Sequence, residues 1–268
     1  MTTKNLDKYA VIGNPISHSK SPQIHAAFAK QTNQNISYEA ILAPLNGFEA
    51  TVRDLIAKGY KGANVTVPFK FEAFELCDEK TKYAEDAGAV NTLVFEENRI
   101  KGHNTDGAGL LVDITKNHLF SIANKNVLIL GAGGAASGII YSLLGASSIT
   151  VANRSLDKAK QLIKNYSACQ AHAITFEALN SPYDLIINAT SAGLSDTALP
   201  IPNIIFSKNT LAYDMMYGRK TPFMTQARAN DAQVSDGLGM LVEQAAEAFY
   251  IWCGVRPETA PVIKMMRT

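Results

Sequence analysis

The stretch "NVLILGAGGAASG", residues 126–138, decides how the chain is read. An apolar run, Asn126–Leu130, has the composition of a buried strand, and the residues from Gly134 onward have that of a helix. Between them Gly131, Gly133 and Ala136 satisfy the pattern G-x-G-x-x-G/A. Gly131 permits a tight turn, Gly133 lets a pyrophosphate approach the backbone, and Ala136 allows close packing of helix on strand. The N–H groups of Gly131, Ala132, Gly133, Gly134 and Ala135 then face phosphate, aided by the helix dipole. Taken alone the pattern is weak, because glycines also serve plain close packing; a strand before it and a helix after it point to a dinucleotide site.

Such a turn usually comes with an acid about 20 residues on, at the tip of the next strand, which holds a ribose hydroxyl. Here that strand is followed, in "SITVANRSLD" (148–157), by Asn153, Arg154 and Ser155. A guanidinium forks onto phosphate oxygens, whereas an acid repels them. The missing acid and the present base favour NADP(H) over NAD as cofactor. The competing reading is a solvated arginine at the start of the next helix.

Length and composition set the frame. A chain of 268 residues accommodates two ordinary domains or one large one. Its net charge of +1 gives no sign of a nucleic-acid surface, so a small-molecule substrate is expected. Cys77, Cys169 and Cys253 are far apart and odd in number, which fits reduced thiols and a cytoplasmic location, with no metal-ligand spacing. The start "MTTKNLDKYA" has no apolar core of a secretory signal. Residues 126–153 carry no charge, yet their glycines and the strand-like "SSITVAN" speak for two buried strands around a helix, not a membrane span. A soluble protein without membrane or nucleic-acid partners is expected, as a monomer or a possible homodimer.

Outward from the glycine turn, short β-branched runs alternate with helical patterns. Strands are expected at 8–14, 36–43 and 62–67, with helices at 22–32, 47–58, 69–76 and 80–87. That alternation predicts parallel strands joined by crossover helices. Residues 89–104 read as a hairpin turning at Glu96–Asn98, and 105–117 as a helix with Thr105 at its N-cap. The alternation restarts with strands at 126–130, 148–152, 184–188 and 210–214 and helices at 134–144 and 156–165. A final helix over 237–254 aligns Leu238, Leu241, Ala245, Phe249 and Trp252 on one face. The fold class is thus α/β in two domains, an N-terminal α/β domain and a doubly wound Rossmann-type NADP-binding domain. The expected boundaries are 1–104 plus 238–268 for the first and 105–237 for the second.

The first domain carries polar groups at its strand ends. In "GNPISHSKSP" (13–22), Ser21–Pro22 has the look of a helix start, while alternate loop positions aim Ser17 and Ser19 at one anion such as a carboxylate. In "NVTVPFK" (64–70), Asn64 and Thr66 share a strand face and Lys70 enters a first helical turn, where it opposes the dipole. Asp106 in "HNTDG" complements a helix dipole, and Asn91 suits a strand end. Each residue singly has a commoner, purely structural explanation. Together they place a lysine, a carboxylate, amides and paired hydroxyls at strand ends, where α/β proteins bind ligands.

These stretches, with "GAVNTL", "INATSAGL", "YDMMYGRKTPF" and "GLGMLVEQAA", closely resemble the shikimate dehydrogenases from end to end. Ser137 and His103 depart from the family's usual residues. The resemblance implies that the N-terminal α/β domain, completed by the C-terminal helices, is the substrate domain, and that the chain carries out reversible NADPH-dependent reduction of 3-dehydroshikimate to shikimate, an oxidoreductase step of aromatic amino acid and chorismate biosynthesis. It assigns the substrate carboxylate to Ser17, Ser19 and Tyr217 and the ring hydroxyls to Thr66, Asn91 and Gln244. Lys70 and Asp106 stand at the reacting carbon, Thr190, Met215 and Gly237 border the nicotinamide, and Asn153, Arg154 and Ser155 meet the 2′-phosphate. Three alternatives stay open at this level: a quinate/shikimate dehydrogenase of broad cofactor use, a non-catalytic NADP-binding sensor, and an NADP-linked folate dehydrogenase.

Overall fold

The computed structural model describes residues 6–97, 99–166, 170–192 and 197–268. The chain divides into two compact units, Met1–Gly109 with Leu241–Thr268, and Leu110–Met240.

The first unit is built on a six-stranded sheet. In chain order its strands are β1 (Asp7–Gly13), β2 (Ile36–Leu42), β3 (Tyr60–Val65), β4 (Glu79–Lys80), β5 (Thr92–Glu96) and β6 (Arg99–His103). They lie side by side as β2-β1-β3-β5-β6-β4. The expected parallel sheet holds for β1, β2 and β3, joined by the crossover helices α1 (Ser21–Thr32) and α2 (Phe48–Ala57). β5 and β6 form the hairpin expected over 89–104, and β5 also runs antiparallel to β3. Only two residues separate β5 from β6, too few for a crossover, so the chain must turn back on itself. Asn98, named as part of that turn, lies outside the described residues.

One face of this sheet packs on α2, α3 (Lys70–Leu76) and α4 (Lys82–Ala87) through Phe48, Val52, Phe69, Ala73 and Leu93. Each such phenylalanine or leucine, fully buried, contributes roughly 1.5–3 kcal/mol. Against the sheet also stand α1 and α9 (Leu238–Cys253), which bring together Phe28, Phe249 and Trp252. Trp252 stacks on Tyr9 at 4.6 Å and its indole N–H donates to the Leu93 carbonyl at 3.0 Å. These contacts attach the end of the chain, through α10 (Ala260–Arg267), to the first unit.

The second unit holds an all-parallel sheet of β7 (Asn126–Leu130), β8 (Ser148–Ala152), β9 (Ala171–Ile174), β10 (Leu185–Asn188), β11 (Leu211–Asp214) and β12 (Gln233–Asp236). Its spatial order is β12-β11-β10-β7-β8-β9. Counted from β7 this is the 3-2-1-4-5-6 order of a Rossmann fold, with the switch point between β7 and β10. Alternate strand residues enter two cores. Val127, Ile129, Ile149, Val151, Leu185 and Ile187 face one side, and Leu128, Leu130, Ile186 and Ala212 the other. The uncharged span 126–153 is accordingly β7, the helix α6 (Gly134–Ile140) with a 3-10 turn, and β8. Among the described residues no helix is long and apolar enough to cross a membrane.

Several boundaries shift for local reasons. β3 ends at Val65 rather than at 67, because Val67–Pro68 lies in a turn closed by the Phe69 N–H on the Thr66 carbonyl at 3.1 Å. Ser21 is the first residue of α1, not its cap. The helix expected over 105–117 is α5 (Asp106–Val112) continued by a π-helical turn, Asp113–Asn117. That turn buries the Asp113 carboxylate, which accepts from the Tyr213 hydroxyl at 2.6 Å and the Asn117 amide at 2.8 Å.

Candidate active site

β3, β5 and α5 bring a polar network together inside the first unit. Asp106 opens α5 and is only 6% exposed. One of its carboxylate oxygens accepts from the Lys70 ammonium at 2.5 Å, the other from the Asn91 amide at 2.8 Å. Asn91 is buried, and its carbonyl oxygen accepts from the Thr105 N–H at 2.9 Å and the Thr92 hydroxyl at 2.9 Å. The Asn104 side chain accepts from the Asp106 N–H, which fixes the start of α5. Thr105, expected as a capping hydroxyl, instead turns its side chain to Asn91 and, at 3.4 Å, to Gln244.

Lys70 begins α3, directly after the Val67–Phe69 turn. At a helix N-terminus an ammonium is repelled by the dipole; the Asp106 carboxylate, 36 residues away in sequence, supplies the compensation. The lysine side chain keeps 21% of its surface open and that of the aspartate 9%. This is an oriented cation with donor protons, reachable by a small molecule. Asp106, by the same geometry, is more than a charge placed for the dipole.

Asn64 extends the network. Its amide donates to the Thr92 hydroxyl at 3.0 Å and to the Asn91 backbone carbonyl, and its oxygen accepts from the hydroxyl of half-buried Tyr38 at 2.7 Å. Sequence reading placed Asn64 on the same strand face as Thr66 and went no further; Tyr38, Thr92 and Asn104 were missed. Thr92 and Asn104 are polar residues at the ends of the hairpin strands β5 and β6, a signal the sequence does carry; nothing local marks Tyr38, inside β2. Thr66 lies just past β3, half-buried, with its N–H on the Ile12 carbonyl. Ser17 is exposed on the loop after β1. Ser19 has a local role that the sequence did not show, since its hydroxyl oxygen accepts from the Ser21 N–H at 3.3 Å where α1 starts.

The remaining expected residues belong to the second unit. Gly131 has φ +102°, a conformation that favours glycine, and a Cβ there would lie 3.1 Å from Thr190 Cγ2. A Cβ on exposed Gly133 would meet nothing within 4 Å, which leaves the free approach a pyrophosphate needs. Ala132, Gly134 and Ala135 are half-buried along the same turn, and Ala136 is buried against the sheet. At the tip of β8 the Asn153 amide donates to the Ser155 carbonyl at 2.9 Å, while Arg154 and Ser155 are exposed. Thr190 follows β10, and Met215 follows β11. Gly237 is buried with its Cα so close to Met215 that a Cβ would sit 2.3 Å from the Met215 carbonyl oxygen. Tyr217, assigned with Ser17 and Ser19 to one carboxylate, lies in this second unit; burial raises the pKa of its hydroxyl and keeps it a neutral donor. These residues fit a dinucleotide: open backbone at the turn, a cation at the next strand tip, and no carboxylate beside it at 153–155.

Among the described residues no cluster of histidine, cysteine or carboxylate side chains is arranged to hold a metal ion. Cys77 and Cys253 are unpaired, and Cys169 lies outside the described residues.

Comparison with known proteins agrees with this division of labour. Residues 11–93 match the model of the shikimate dehydrogenase substrate binding domain, 113–196 that of shikimate/quinate 5-dehydrogenase, and 237–267 that of the shikimate 5′-dehydrogenase C-terminal domain. The chain is 56% identical to shikimate dehydrogenase (NADP(+)) of Methylobacillus flagellatus, over 98% of this chain and 99% of that one. Among solved structures it superposes on an Ael1 enzyme from Pseudomonas putida with a TM-score of 0.93 at 45% identity, covering 97% of both chains. It also superposes on shikimate 5-dehydrogenase of Thermus thermophilus in complex with NADP(H) and shikimate, with a TM-score of 0.87 at 31% identity over 98% and 99% of the two chains. A substrate-binding α/β unit, a Rossmann unit with a basic strand tip, and matches along the whole chain lead to one conclusion: the chain belongs to the shikimate dehydrogenase family.

Proposed function

We propose that Lys70 and Asp106 handle the proton in the reversible NADPH-dependent reduction of 3-dehydroshikimate to shikimate, the reaction of the family. The observation that carries this reading is the half-buried Lys70–Asp106 ion pair, held from behind by Asn91. NADPH, when bound, supplies the hydride. The carbonyl oxygen then gathers negative charge and needs one proton to become the product hydroxyl. Lys70 donates that proton from its ammonium, and Asp106 holds the ammonium in line. In the reverse direction the same amine takes up the hydroxyl proton, so oxidation of shikimate is favoured by rising pH.

Asn91, Thr66 and Gln244 are assigned to ring hydroxyls, and Ser17, Ser19 and Tyr217 to the substrate carboxylate. Gly131–Ala135 hold the pyrophosphate, Asn153, Arg154 and Ser155 the 2′-phosphate, and Thr190, Met215 and Gly237 the nicotinamide side. A paired proton donor and orienting carboxylate favour catalysis over a non-catalytic cofactor sensor, which has no need of them. The cysteines and the biosynthetic reaction support a cytoplasmic enzyme, active as a monomer or homodimer.

Steady-state kinetics on Lys70→Ala test the assignment. The loss belongs in kcat, roughly 10²- to 10⁴-fold, with KM for shikimate changed far less. A large rise in KM with kcat intact would give Lys70 a holding role instead. Asp106→Asn harms both parameters, because the ammonium loses its orienting charge; unchanged kinetics there would return Asp106 to a simple helix-start acid.

A further inference from the structure

Asp214, the last residue of β11, is fully buried and has no lysine, arginine or histidine partner among the described residues. Three donors surround it. Its Oδ2 accepts from the Thr221 hydroxyl at 2.5 Å and the Asn188 amide at 3.2 Å, and its Oδ1 accepts from the Met216 N–H at 3.0 Å. Burial nevertheless raises the pKa of its carboxyl from the ordinary value, the hydrogen bonds to Thr221, Met216 and Asn188 offsetting part of that shift. Without it the Thr221 hydroxyl, the Asn188 amide and the Met216 N–H would lose their shared acceptor. What the carboxylate provides is geometry.

That geometry leads to the cofactor side along two short paths. Asn188 ends β10 and is itself buried; its Oδ1 accepts from the Thr190 hydroxyl at 2.7 Å and the Thr190 N–H at 3.2 Å. Met216 carries the second path, its carbonyl accepting from the Gly237 N–H at 2.9 Å. The Met215 N–H donates to the Asn188 carbonyl at 3.1 Å, which ties the two strand tips together. Thr190 and Gly237 are thus each linked to the Asp214 carboxylate through one intervening residue, and Met215 follows Asp214 in the chain.

We propose that Asp214 is a positioning residue for the nicotinamide side of the site: by orienting the Asn188 amide and the Met216 backbone, it sets where Thr190, Met215 and Gly237 stand. The inference rests on the assignment of those three residues to the nicotinamide. Residues 153–155, assigned to the 2′-phosphate, lie at another strand tip, outside this network. Binding of that phosphate is independent of Asp214.

Asp214→Asn separates the two. An amide in place of the carboxylate turns its NH2 toward either the Met216 N–H or the Thr221 and Asn188 donors, and one contact becomes donor against donor. The test measures reduction of 3-dehydroshikimate by NADPH, together with binding of adenosine 2′,5′-bisphosphate, the cofactor half without nicotinamide. In Asp214→Asn, kcat falls roughly ten- to hundredfold while bisphosphate affinity stays within about twofold of the unsubstituted protein. Thr190→Val lowers kcat in the same sense, and the double variant loses markedly less than the product of the two single losses, as expected for residues acting through one path.

Multiplying losses, or an unaffected Thr190→Val, would overturn the proposal, as would bisphosphate affinity falling in step with kcat. If Asp214→Asn does not fold, Asn188→Ser cuts the same path one residue later and is judged by the same outcomes. An unsubstituted protein that binds the bisphosphate but leaves NADPH and 3-dehydroshikimate unconsumed would sink the underlying assignment itself.

Discussion

Arg154 stands exposed beside the Asn153–Ser155 hydrogen bond at the tip of β8, where a Rossmann fold discriminates between cofactors. Arg154→Ala is expected to weaken NADP relative to NAD by roughly ten- to hundredfold, the worth of one charge-assisted hydrogen bond. Kinetics with both cofactors check it; an equal loss with NAD would mean that the arginine does not meet the 2′-phosphate. This residue was legible from spacing alone, because strand, turn and next strand lie within 30 residues. The Lys70–Asp106 contact was not. The residues enter from two helix starts 36 positions apart, and no local rule predicts that their side chains meet. Strand-end placement gathered a lysine and a carboxylate; only the resemblance set both at one reacting carbon, and it left out the supporting Tyr38–Asn64–Thr92 path.

At the level of elements, the Rossmann sheet was half visible. Strands β7, β8, β10 and β11 are continuous apolar runs, the signature of burial on both faces. By contrast β9 (Ala171–Ile174) and β12 (Gln233–Asp236) are four-residue edge strands with too little pattern to stand out. The helix α8 (Pro222–Ala229) had a usable signal that was passed over, the Thr221–Pro222 pair of a capped helix start. Thr221 accepts from the Met224 N–H at 3.2 Å while donating to Asp214. Thr221→Ala is accordingly expected to cost about 1–2 kcal/mol of stability through the lost cap, with bisphosphate binding retained. Chemical denaturation of the variant measures this. A loss within a few tenths of a kcal/mol would show that water or a neighbour replaces the cap.

For the molecule as a whole, the two-unit plan was readable, since the α/β alternation breaks at the hairpin and restarts with a glycine turn. How the first unit tolerates acid was not readable. His25 is fully buried, stacked on Tyr38 at 4.1 Å and ringed by Phe28, Phe249 and Trp252, with neither ring nitrogen hydrogen-bonded among the described residues. Desolvation pushes its pKa down to about 3, with Asn64 beside it acting in the opposite sense. The unfolded chain binds this proton near the ordinary histidine value of about 6.5, and the folded chain only near 3. Stability is therefore intact above about pH 6.5 and falls as pH drops toward 3, by up to roughly 1.4 kcal/mol per pH unit from this one group. Thermal melts of His25→Phe between pH 7 and 4 should be flatter than those of the unsubstituted protein; parallel curves would assign the acid sensitivity elsewhere.

The measurement that bears most directly on the whole account is nicotinamide absorbance after mixing the protein with shikimate or quinate, each with NADP or NAD. Rapid turnover confined to shikimate with NADP is the predicted result. Equal rates with NAD would contradict the specificity argued from Arg154, equal rates with quinate would point to the quinate/shikimate branch with broad cofactor use, and silence in all four mixtures would contradict the catalytic role of the Lys70–Asp106 pair.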